Sequence, residues 1–218
     1  MAEAGAPSGT VVTASEQTAG RGRRGRTWSA PPGKALLYSA ILRPLGPEHR
    51  LLPLTAAVAV AEAVESLAPL ECGVKWPNDV WIDESKVAGI LIEARPPAWA
   101  VIGVGLNLTI ERDEFPNGLR HPATSVGHGV TPDDALVAVN EALGGWVEAR
   151  ADSVLGAFRV RDALRGRRVS WEGAGGDGPS AGVAQGIDES GNLVVAVDGG
   201  TRRSLGSGEV RLAPLGAG

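Results

Sequence analysis

The C-terminal quarter of the sequence holds the pattern that most narrows the possible folds. Five short runs rich in β-branched residues follow one another at close spacing: 168–171, 182–187, 193–197, 201–205 and 209–212. Glycine, aspartate and proline fill the stretches between them at 173–179, 188–191 and 198–200, and these residue types favour turns. Such a series of short strands is typical of a small β-barrel of the SH3-like kind. We predict this module over residues 165–218.

Residues 1–164 show a different pattern, in which strand-like runs alternate with helical segments. Strands are predicted at 10–14, 35–42, 80–82, 87–93 and 100–108, and helices at 54–67, 131–149 and 154–164. The clearest helix start is Thr131-Pro132-Asp133-Asp134, because threonine caps helices, proline suits the first turn and acids suit the positive end of the dipole. The whole chain is therefore predicted to be α/β (α+β), a mixed β-sheet with helices followed by the barrel.

Composition excludes several classes of protein. Hydrophobic residues make up 43% of the 218, enough for a sizeable core in a chain of this length. The single Cys72 cannot close an intramolecular disulfide, and no apolar run reaches the roughly 18 residues of a membrane span. The net charge of −4 argues against a general nucleic-acid binder, which needs a basic surface. We expect a cytoplasmic protein that binds no membrane.

A glycine–arginine stretch from Gln17 to Trp28 is the first candidate binding element. Four arginines fall within six residues, and no acid lies between residues 18 and 45. Guanidinium groups pair with carboxylate or phosphate oxygens, and glycines let the backbone approach a ligand closely. The stretch does not end in Gly-Lys-Ser/Thr, so it is not a Walker A loop. A solvated basic loop and an RNA-binding arginine–glycine stretch are the alternatives.

The second candidate element is Lys75-Trp76-Pro77-Asn78-Asp79, followed closely by Lys86. Pro-Asn favours a turn, so we predict a strand-turn-strand with Asn78 and Asp79 at its tip and Lys86 on the returning strand. A lysine placed there can neutralise the charge that builds on a phosphoryl group. A polar hairpin with a surface lysine is the simpler interpretation.

The third candidate element is Gly103-Val104-Gly105-Leu106-Asn107. No helix follows it in register, so the dinucleotide-binding interpretation of Gly-x-Gly is rejected. We predict a strand whose glycines leave room for a ligand and whose Asn107 supplies an amide. Glycines that only allow close packing of the strand on a helix are the alternative.

Taken together and in this order, these blocks resemble the catalytic domain of biotin–protein ligases. The shared patterns are Gln-x-x-Gly-Arg-Gly-Arg-x-Gly-Arg-x-Trp, Lys-Trp-Pro-Asn-Asp, Lys-x-x-Gly-Ile-Leu-x-Glu and Gly-x-Gly-x-Asn. The resemblance covers nearly the whole chain, because that family also carries a small C-terminal barrel. It implies a class II synthetase-like catalytic domain over residues 1–164 and the barrel over residues 165–218.

The resemblance also implies roles for individual residues. The implied biotin-binding residues are Gln17, Gly20, Arg21, Gly22, Arg23, Lys86 and Gly89. The implied ATP-binding residues are Arg23, Arg26, Trp28, Lys75, Asn78 and Asn107, with Trp28 near the adenine. Arg23, Lys86 and Asp79 are implied to be catalytic, with Asp79 either assisting the attacking lysine of the carrier or contacting Mg²⁺. No metal ligands are assigned, and the scattered His49, His121 and His128 are given no site.

The activity implied by the resemblance is that of a monofunctional biotin–[acetyl-CoA-carboxylase] ligase. Such an enzyme uses ATP and Mg²⁺ to form biotinyl-5′-AMP and pyrophosphate. It then transfers biotin to a lysine of the biotin carboxyl carrier protein of acetyl-CoA carboxylase or a related carboxylase. A homodimer is compatible with this assignment.

One departure from the family pattern concerns the N-terminus. The family usually has a Ser-Thr-Asn segment upstream of the glycine–arginine stretch, whereas only residues 1–9 precede Thr10 here. Either the start codon is assigned too late or the chain is shortened, and a shortened chain is expected to bind biotin weakly or to be inactive. The same shortness leaves no room for a helix-turn-helix, so no DNA binding is expected. The alternatives are a lipoate-type protein ligase, a degenerate non-catalytic relative and an RNA-binding module.

Overall fold

The computed structural model describes residues 1–119, 121–172, 179–197, 200–206 and 208–212. Most of the predicted turns at 173–179 and 198–200 therefore lies outside the described residues. The strands are β1 (Val11–Ala14), β2 (Ala35–Leu42), β3 (Gly73–Lys75), β4 (Asp79–Ile82), β5 (Ser85–Arg95), β6 (Trp99–Asn107), β7 (Arg168–Glu172), β8 (Pro179–Ile187), β9 (Leu193–Val197), β10 (Arg202–Leu205) and β11 (Val210–Leu212). The helices are α1 (Leu52–Leu67), α2 (Pro132–Val147) and α3 (Ala151–Arg161), with 3₁₀ turns at Arg23–Gly25 and Pro47–Leu51. Among the described residues, none of these helices is both long and apolar enough to cross a membrane.

The larger sheet has six strands in the order β1-β2-β6-β5-β4-β3. All neighbouring strands run antiparallel. The predicted mixture of strand directions is limited to two isolated parallel bridges, Val74 with Asp162 and Lys86 with Ala123. The predicted α/β (α+β) class, with a sheet and helices in the first part of the chain, is confirmed.

Helix α1 forms the centre of the core. Its residues from Ala56 to Ala61 are all fully buried, because the helix packs against α2, α3 and strand β5 at once. Alanine and valine fill this stretch, and their small side chains let the neighbouring elements approach closely at the packing density of a protein interior.

The five C-terminal strands form a second antiparallel sheet in the order β10-β9-β8-β7-β11. The predicted SH3-like module is confirmed as to its five short strands. Closure into a barrel is not seen, since β10 and β11 are both edge strands within the described part of the chain. The boundary predicted near residue 165 stays a prediction and falls between α3 and β7.

The two sheets share one continuous core, and a tryptophan joins them. Trp76 donates a hydrogen bond from Nε1 to the carbonyl oxygen of Gly191, with an N–O distance of 2.9 Å. Gly191 has a φ of 78°, and a Cβ there would lie 2.7 Å from Cδ2 of Leu51. Glycine is therefore needed for the turn between β8 and β9 to pack against Leu51 and Leu54.

One predicted element was wrong in detail. The turn after Trp76 leads into β4, which has only four residues and ends at a second turn formed by Asp83 and Glu84, both with positive φ. Lys86 therefore lies one strand further on, in β5, and Asp79 is the first residue of β4 instead of the tip of the turn. The predicted strand-turn-strand is present as β3, the turn at 76–78 and β4, although no bounds were predicted for β3, because three residues give no readable period.

Candidate functional site

A cavity of about 630 Å³ lies where the glycine–arginine loop, strands β2 to β6 and the end of the second sheet meet. This is the volume of a typical site for a small molecule. All but one of the predicted site residues line it: Gln17, Arg21, Gly22, Arg23, Arg26, Trp28, Lys75, Asn78, Asp79, Lys86, Gly89 and Asn107. The tertiary structure thus brings four separate sequence blocks together around one space.

The glycine–arginine loop folds as a narrow hairpin. Its two sides are joined by hydrogen bonds from the Trp28 amide to the Gly20 carbonyl oxygen (3.0 Å) and from the Gly22 amide to the Arg26 carbonyl oxygen (2.7 Å). Arg24, with a φ of 56°, lies in the 3₁₀ turn at the tip. Gly20 is buried and does not line the cavity, and a Cβ there would collide with the Trp28 carbonyl oxygen. Gly20 thus closes the loop, and its contact with biotin stays a prediction.

The indole of Trp28 occupies the space above the strand glycines. A Cβ on Gly105 would lie 2.7 Å from Nε1 of Trp28, and a Cβ on Gly89 would lie 3.2 Å from its Cζ3. The expectation that Gly105 leaves room for a ligand was therefore incomplete, because the room is taken by a side chain of the loop. Only a residue without Cβ permits this contact.

Arg23 is held in place by an amide side chain. Its Nη1 donates to Oδ1 of Asn78 at 2.8 Å, and Nδ2 of Asn78 donates to the Ile90 carbonyl oxygen at 2.5 Å. Burial lowers the pKa of Arg23 from its ordinary value, with nearby Asp79 acting in the opposite direction. Guanidinium nevertheless stays charged in proteins, so Arg23 presents a fixed positive charge to the cavity.

Lys86 and Asp79 form a half-buried ion pair across β4 and β5. Nζ of Lys86 lies 2.7 Å from Oδ1 of Asp79. The same ammonium lies 5.6 Å from the centre of the Trp28 ring, which is within cation–π range. Lys86 is thus oriented from two sides, by a carboxylate and by the closing indole.

Asn107 serves a structural purpose in this state. Its Nδ2 donates to the Thr124 carbonyl oxygen at 2.9 Å, and the residue is only 3% exposed. It therefore fixes the segment after residue 120 beside the end of β6. The predicted contact of Asn107 with ATP stays a prediction.

Sequence reasoning missed several residues of the cavity. Tyr38, Phe115, His121 and Glu209 also line it. Tyr38 belongs to β2, Phe115 and His121 lie in the segment between β6 and α2, and Glu209 directly precedes β11. His121 was given no site from the sequence, and the structure places it at the wall of this cavity. Among the described residues there is no group of three or more His, Cys, Asp or Glu side chains that could hold a metal ion.

Glu209, which directly precedes β11, is a residue of the C-terminal module that lines the cavity. Its Oε2 lies 2.9 Å from Nη2 of Arg26, and the Glu209 side chain is only 11% exposed. The C-terminal module therefore contributes a charged group to the cavity and contacts the glycine–arginine loop directly.

Comparison with known proteins identifies the family. Residues 1–107 match the biotin/lipoate A/B protein ligase family, and residues 166–212 match the biotin protein ligase C-terminal domain. The biotin–[acetyl-CoA-carboxylase] ligase of Mycobacterium tuberculosis is 37% identical over 207 residues, which cover 88% of this chain and 75% of that protein. The chain belongs to the biotin/lipoate protein ligase family.

Further similarities lead to the same family. The biotin–[acetyl-CoA-carboxylase] ligase of Paracoccus denitrificans is 35% identical over 84% of this chain and 82% of its own length. The biotin protein ligase from Aquifex aeolicus, solved in complex with biotin and ATP, superposes with a TM-score of 0.83 at 28% identity, covering 97% of this chain and 92% of that one. The match to the bifunctional ligase/repressor of Bacillus subtilis, at 40% identity, spans 58% of this chain and only 41% of that protein.

Proposed function

We propose that this chain is an ATP-dependent biotin–protein ligase. It forms biotinyl-5′-AMP and pyrophosphate from biotin and ATP, and it then transfers the biotinyl group to a lysine of a biotin carboxyl carrier protein. The observation that carries the proposal is the meeting of Arg23, Lys86 and Asp79 in one cavity of a chain of this family. The relatives named as biotin–[acetyl-CoA-carboxylase] ligases support the choice of acid and of carrier.

The first step joins two anions, and the cavity supplies the opposite charge. A carboxylate oxygen of biotin attacks the α-phosphorus of ATP, a P–O bond forms, and the P–O bond to the β-phosphate breaks. Lys86 and Arg23 offset the repulsion between carboxylate and triphosphate, most strongly as charge shifts in the transition state. Both cations are positioned before the ligands arrive, by Asp79 and Asn78 respectively, so little reorganisation is needed.

The second step transfers the acyl group. The neutral amine of the carrier lysine attacks the carbonyl carbon of the mixed anhydride, the C–O bond to AMP breaks, and the attacking nitrogen loses a proton. Asp79 is the carboxylate nearest to this chemistry, and we assign it to positioning Lys86, with the proton-accepting role as its second candidate function. The indole of Trp28 closes the cavity and helps to exclude water from the labile adenylate.

We assign each ligand to a set of residues, nearly all of which line the cavity. Biotin is assigned to Gln17, Gly20, Arg21, Gly22, Arg23, Lys86 and Gly89. ATP is assigned to Arg23, Arg26, Trp28, Lys75, Asn78 and Asn107. Each of these residues except Gly20 lines the cavity.

Mg²⁺ is proposed to enter with the phosphates of ATP. Among the described residues, the carboxylates that line the cavity are those of Asp79, Glu93 and Glu209, and each is already paired with a cation. The protein thus offers few oxygen ligands, which fits the preference of Mg²⁺ for phosphates and water. When bound, the ion would neutralise charge at the phosphates.

The remaining assignments are also proposals. The catalytic domain is assigned to residues 1–164 and the accessory module to residues 165–218. The partner is the carrier domain of acetyl-CoA carboxylase or a related carboxylase, in the cytoplasm, with no DNA or membrane ligand. A homodimer is an assembly that gel filtration can test.

The deciding experiment is biotin-dependent exchange of labelled pyrophosphate into ATP by the purified chain, with lipoate as the control acid. Exchange with biotin and not with lipoate is the expected result. Exchange with lipoate alone would assign the chain to the lipoate-specific side of the family. No exchange with either acid would contradict the proposed activity for this chain, and the same assay on a longer chain that includes upstream residues would test whether they are needed.

A further inference from the structure

The chain has very few amines that an acylating agent can modify. It contains three lysines, Lys34, Lys75 and Lys86, against 18 arginines. The guanidinium group of arginine stays protonated in proteins, so it is a poor nucleophile toward an acyl group. Besides the N-terminal amine, only these three side chains can therefore form an amide with biotinyl-5′-AMP, the activated product of the proposed first step.

Two of the three lysines are held inside the cavity. Lys75 is only 5% exposed, and the ammonium of Lys86 donates to the Asp79 carboxylate at 2.7 Å. Among the three lysines, Lys34 alone does not line the cavity. It is thus the one lysine side chain that an adenylate released from the cavity meets on the outer surface.

Lys34 lies beside the cavity. Its carbonyl oxygen accepts a hydrogen bond from the Leu108 amide at 3.0 Å, and Leu108 directly follows the cavity-lining Asn107. Glu114, the ion-pair partner of Lys34, directly precedes Phe115, which also lines the cavity. An adenylate that leaves the cavity on this side therefore passes close to the Lys34 amine.

The Lys34 amine is bound by a carboxylate. Its Nζ donates to both Oε1 and Oε2 of Glu114, at 2.6 Å each. The bond from Lys34, followed by one from the Glu111 amide, lowers the pKa of Glu114, so the carboxylate stays charged. An ammonium held in this way must leave the carboxylate and lose a proton before its nitrogen can attack.

We propose that Glu114 protects Lys34 from acylation by the chain's own biotinyl-5′-AMP, an inference that rests on the proposed function. In the reaction that the pair slows, the neutral Lys34 amine attacks the carbonyl carbon of the mixed anhydride. A C–N bond forms, the C–O bond to AMP breaks, and the nitrogen loses a proton. Surface ion pairs built from arginine, such as Arg159 with Glu189, add to this protection because they offer no amine.

The test is labelling of the intact chain with synthetic biotinyl-5′-AMP, followed by peptide mass spectrometry. We expect biotin to accumulate at Lys34 about 2- to 5-fold faster in Glu114→Gln than in the unmodified chain, the range for loss of an exposed ion pair. The matched control is Glu141→Gln, which changes an exposed glutamate of α2 and should leave the rate at Lys34 unchanged. Labelling of the N-terminal amine is the internal reference and should be equal in all three proteins.

An unguarded lysine gives the rate without protection. Arg203 is an exposed residue of β10, so Arg203→Lys should be labelled at position 203 faster than Lys34 is labelled in the unmodified chain. Salt at about 1 M should speed labelling of Lys34 in the unmodified chain and change it little in Glu114→Gln, because screening weakens an exposed ion pair.

Three results would overturn the protection. The first is equal labelling of Lys34 in the unmodified chain and in Glu114→Gln. The second is faster labelling of Lys75 or Lys86 than of Lys34, because the reachable lysine would then lie inside the cavity. The third is labelling at position 203 in Arg203→Lys that is no faster than labelling of Lys34.

Two further arms separate this proposal from the general activity and from misfolding. In one arm the chain receives biotin, ATP and Mg²⁺ without a carrier. Protection seen with the synthetic adenylate, together with no labelling from biotin and ATP, would support the role of Glu114 and contradict only the proposed function. Thermal unfolding should show Glu114→Gln to be as stable as the unmodified chain. If this variant unfolds, the salt comparison in the unmodified chain decides, and no acceleration by salt would contradict the proposal.

Discussion

The indole of Trp28 lies against the backbone of Gly105 so closely that a Cβ there would fall 2.6 Å from Cζ2 of the ring. This contact joins the glycine–arginine loop to the centre of the larger sheet. It also explains why a loop rich in arginine can close over a cavity that already holds positive charge. The closing residue is apolar, and it packs on a strand position that has no side chain.

The first prediction concerns this contact. Gly105→Ala is expected to push Trp28 off the strand, open the loop and weaken biotin and ATP binding by about 10-fold or more, because backbone and ring leave the new methyl group no space. Isothermal titration measures both affinities. The matched control is Gly144→Ala, since a Cβ on Gly144 meets nothing within 4 Å. In a Trp28→Ala background the effect of Gly105→Ala should be much smaller, and equal effects in both backgrounds would disprove the steric explanation.

The second prediction concerns Lys86. Its ammonium is oriented by Asp79 at 2.7 Å, so Lys86→Met removes a preorganised charge from the adenylation step. We expect pyrophosphate exchange to slow by about 10²–10³-fold, with Lys34→Met as the control that retains full activity. If the exchange rate of Lys86→Met falls by less than about 3-fold, Lys86 does not stabilise the adenylation transition state. Asp79→Asn should lower the rate less than Lys86→Met does, because it leaves the ammonium in place but unaligned.

The third prediction concerns the ion pair between the glycine–arginine loop and the C-terminal module. Arg26 and Glu209 are 2.9 Å apart, with side chains 40% and 11% exposed. A double-mutant cycle with Arg26→Met and Glu209→Gln, measured by urea unfolding, should give an interaction energy of about 0.2–1 kcal/mol that shrinks in high salt. Zero coupling at low salt would show that the pair does not hold the C-terminal module against the loop.

The fourth prediction concerns the start of α2. Thr131 Oγ1 accepts from the Asp134 amide at 3.2 Å, and the Asp134 carboxylate accepts from the Thr131 amide at 3.1 Å. Thr131→Ala should lower the free energy of unfolding by about 0.5–2 kcal/mol, while Thr131→Ser should change it little. Pyrophosphate exchange should be unaffected in both variants, since this end of α2 does not line the cavity.

The same cap makes a pH-dependent prediction. Hydrogen bonds from Thr131 lower the pKa of Asp134 from its ordinary 3.8. A carboxyl whose pKa is lower in the folded state stabilises that state above its unfolded pKa, and this stabilisation is lost as the pH falls through the folded pKa. The stability difference between the unmodified chain and Asp134→Asn should therefore be present at pH 7 and fade below about pH 4. A difference that stays constant down to pH 3 would contradict this origin.

The fifth prediction concerns His121. Burial first, and the charge of Lys75 second, lower its pKa below 6.5, and Asp79, Lys86 and Glu209 also act on it. Lys75→Met removes the charge of Lys75, so nuclear magnetic resonance should show a higher pKa of His121 in this variant than in the unmodified chain. An unchanged pKa would show that Lys75 does not act on the ring. The resonances of His49 and His128 are the internal controls.

The secondary structure was predictable where the sequence carries a long period or a strong terminal signal. Strand β2 was predicted at its observed bounds, and the cap at Thr131 marked the start of α2. Short elements were predictable only in outline. The bounds of the three-residue strand β3 were not predicted. The turn at Asp83 and Glu84 was predicted only as a gap between the strands at 80–82 and 87–93, and its positive φ values are not revealed by any pattern of apolar residues.

The candidate site was predictable only as separate blocks of residue types. The charge and hydrogen-bonding capacity of Arg23, Lys86 and Asn78 depend on residue type and not on the fold. The sequence therefore indicated a site for anions. Which of them touch was decided by strand order, since β5 lies beside both β4 and β6. That order brings the loop, the hairpin and the strand glycines to one place.

The amino-acid sequence by itself determined the elements and the chemical class of the site, because local propensity and side-chain chemistry are properties of short segments. The tertiary structure alone decided that Trp28 fills the space over Gly105, that His121 and Lys75 both lie near Trp81, and that Glu209, next to β11, meets Arg26. Each of these contacts joins residues at least 40 positions apart in the sequence. Such contacts depend on how packed elements exclude water and fill volume, which no local pattern encodes.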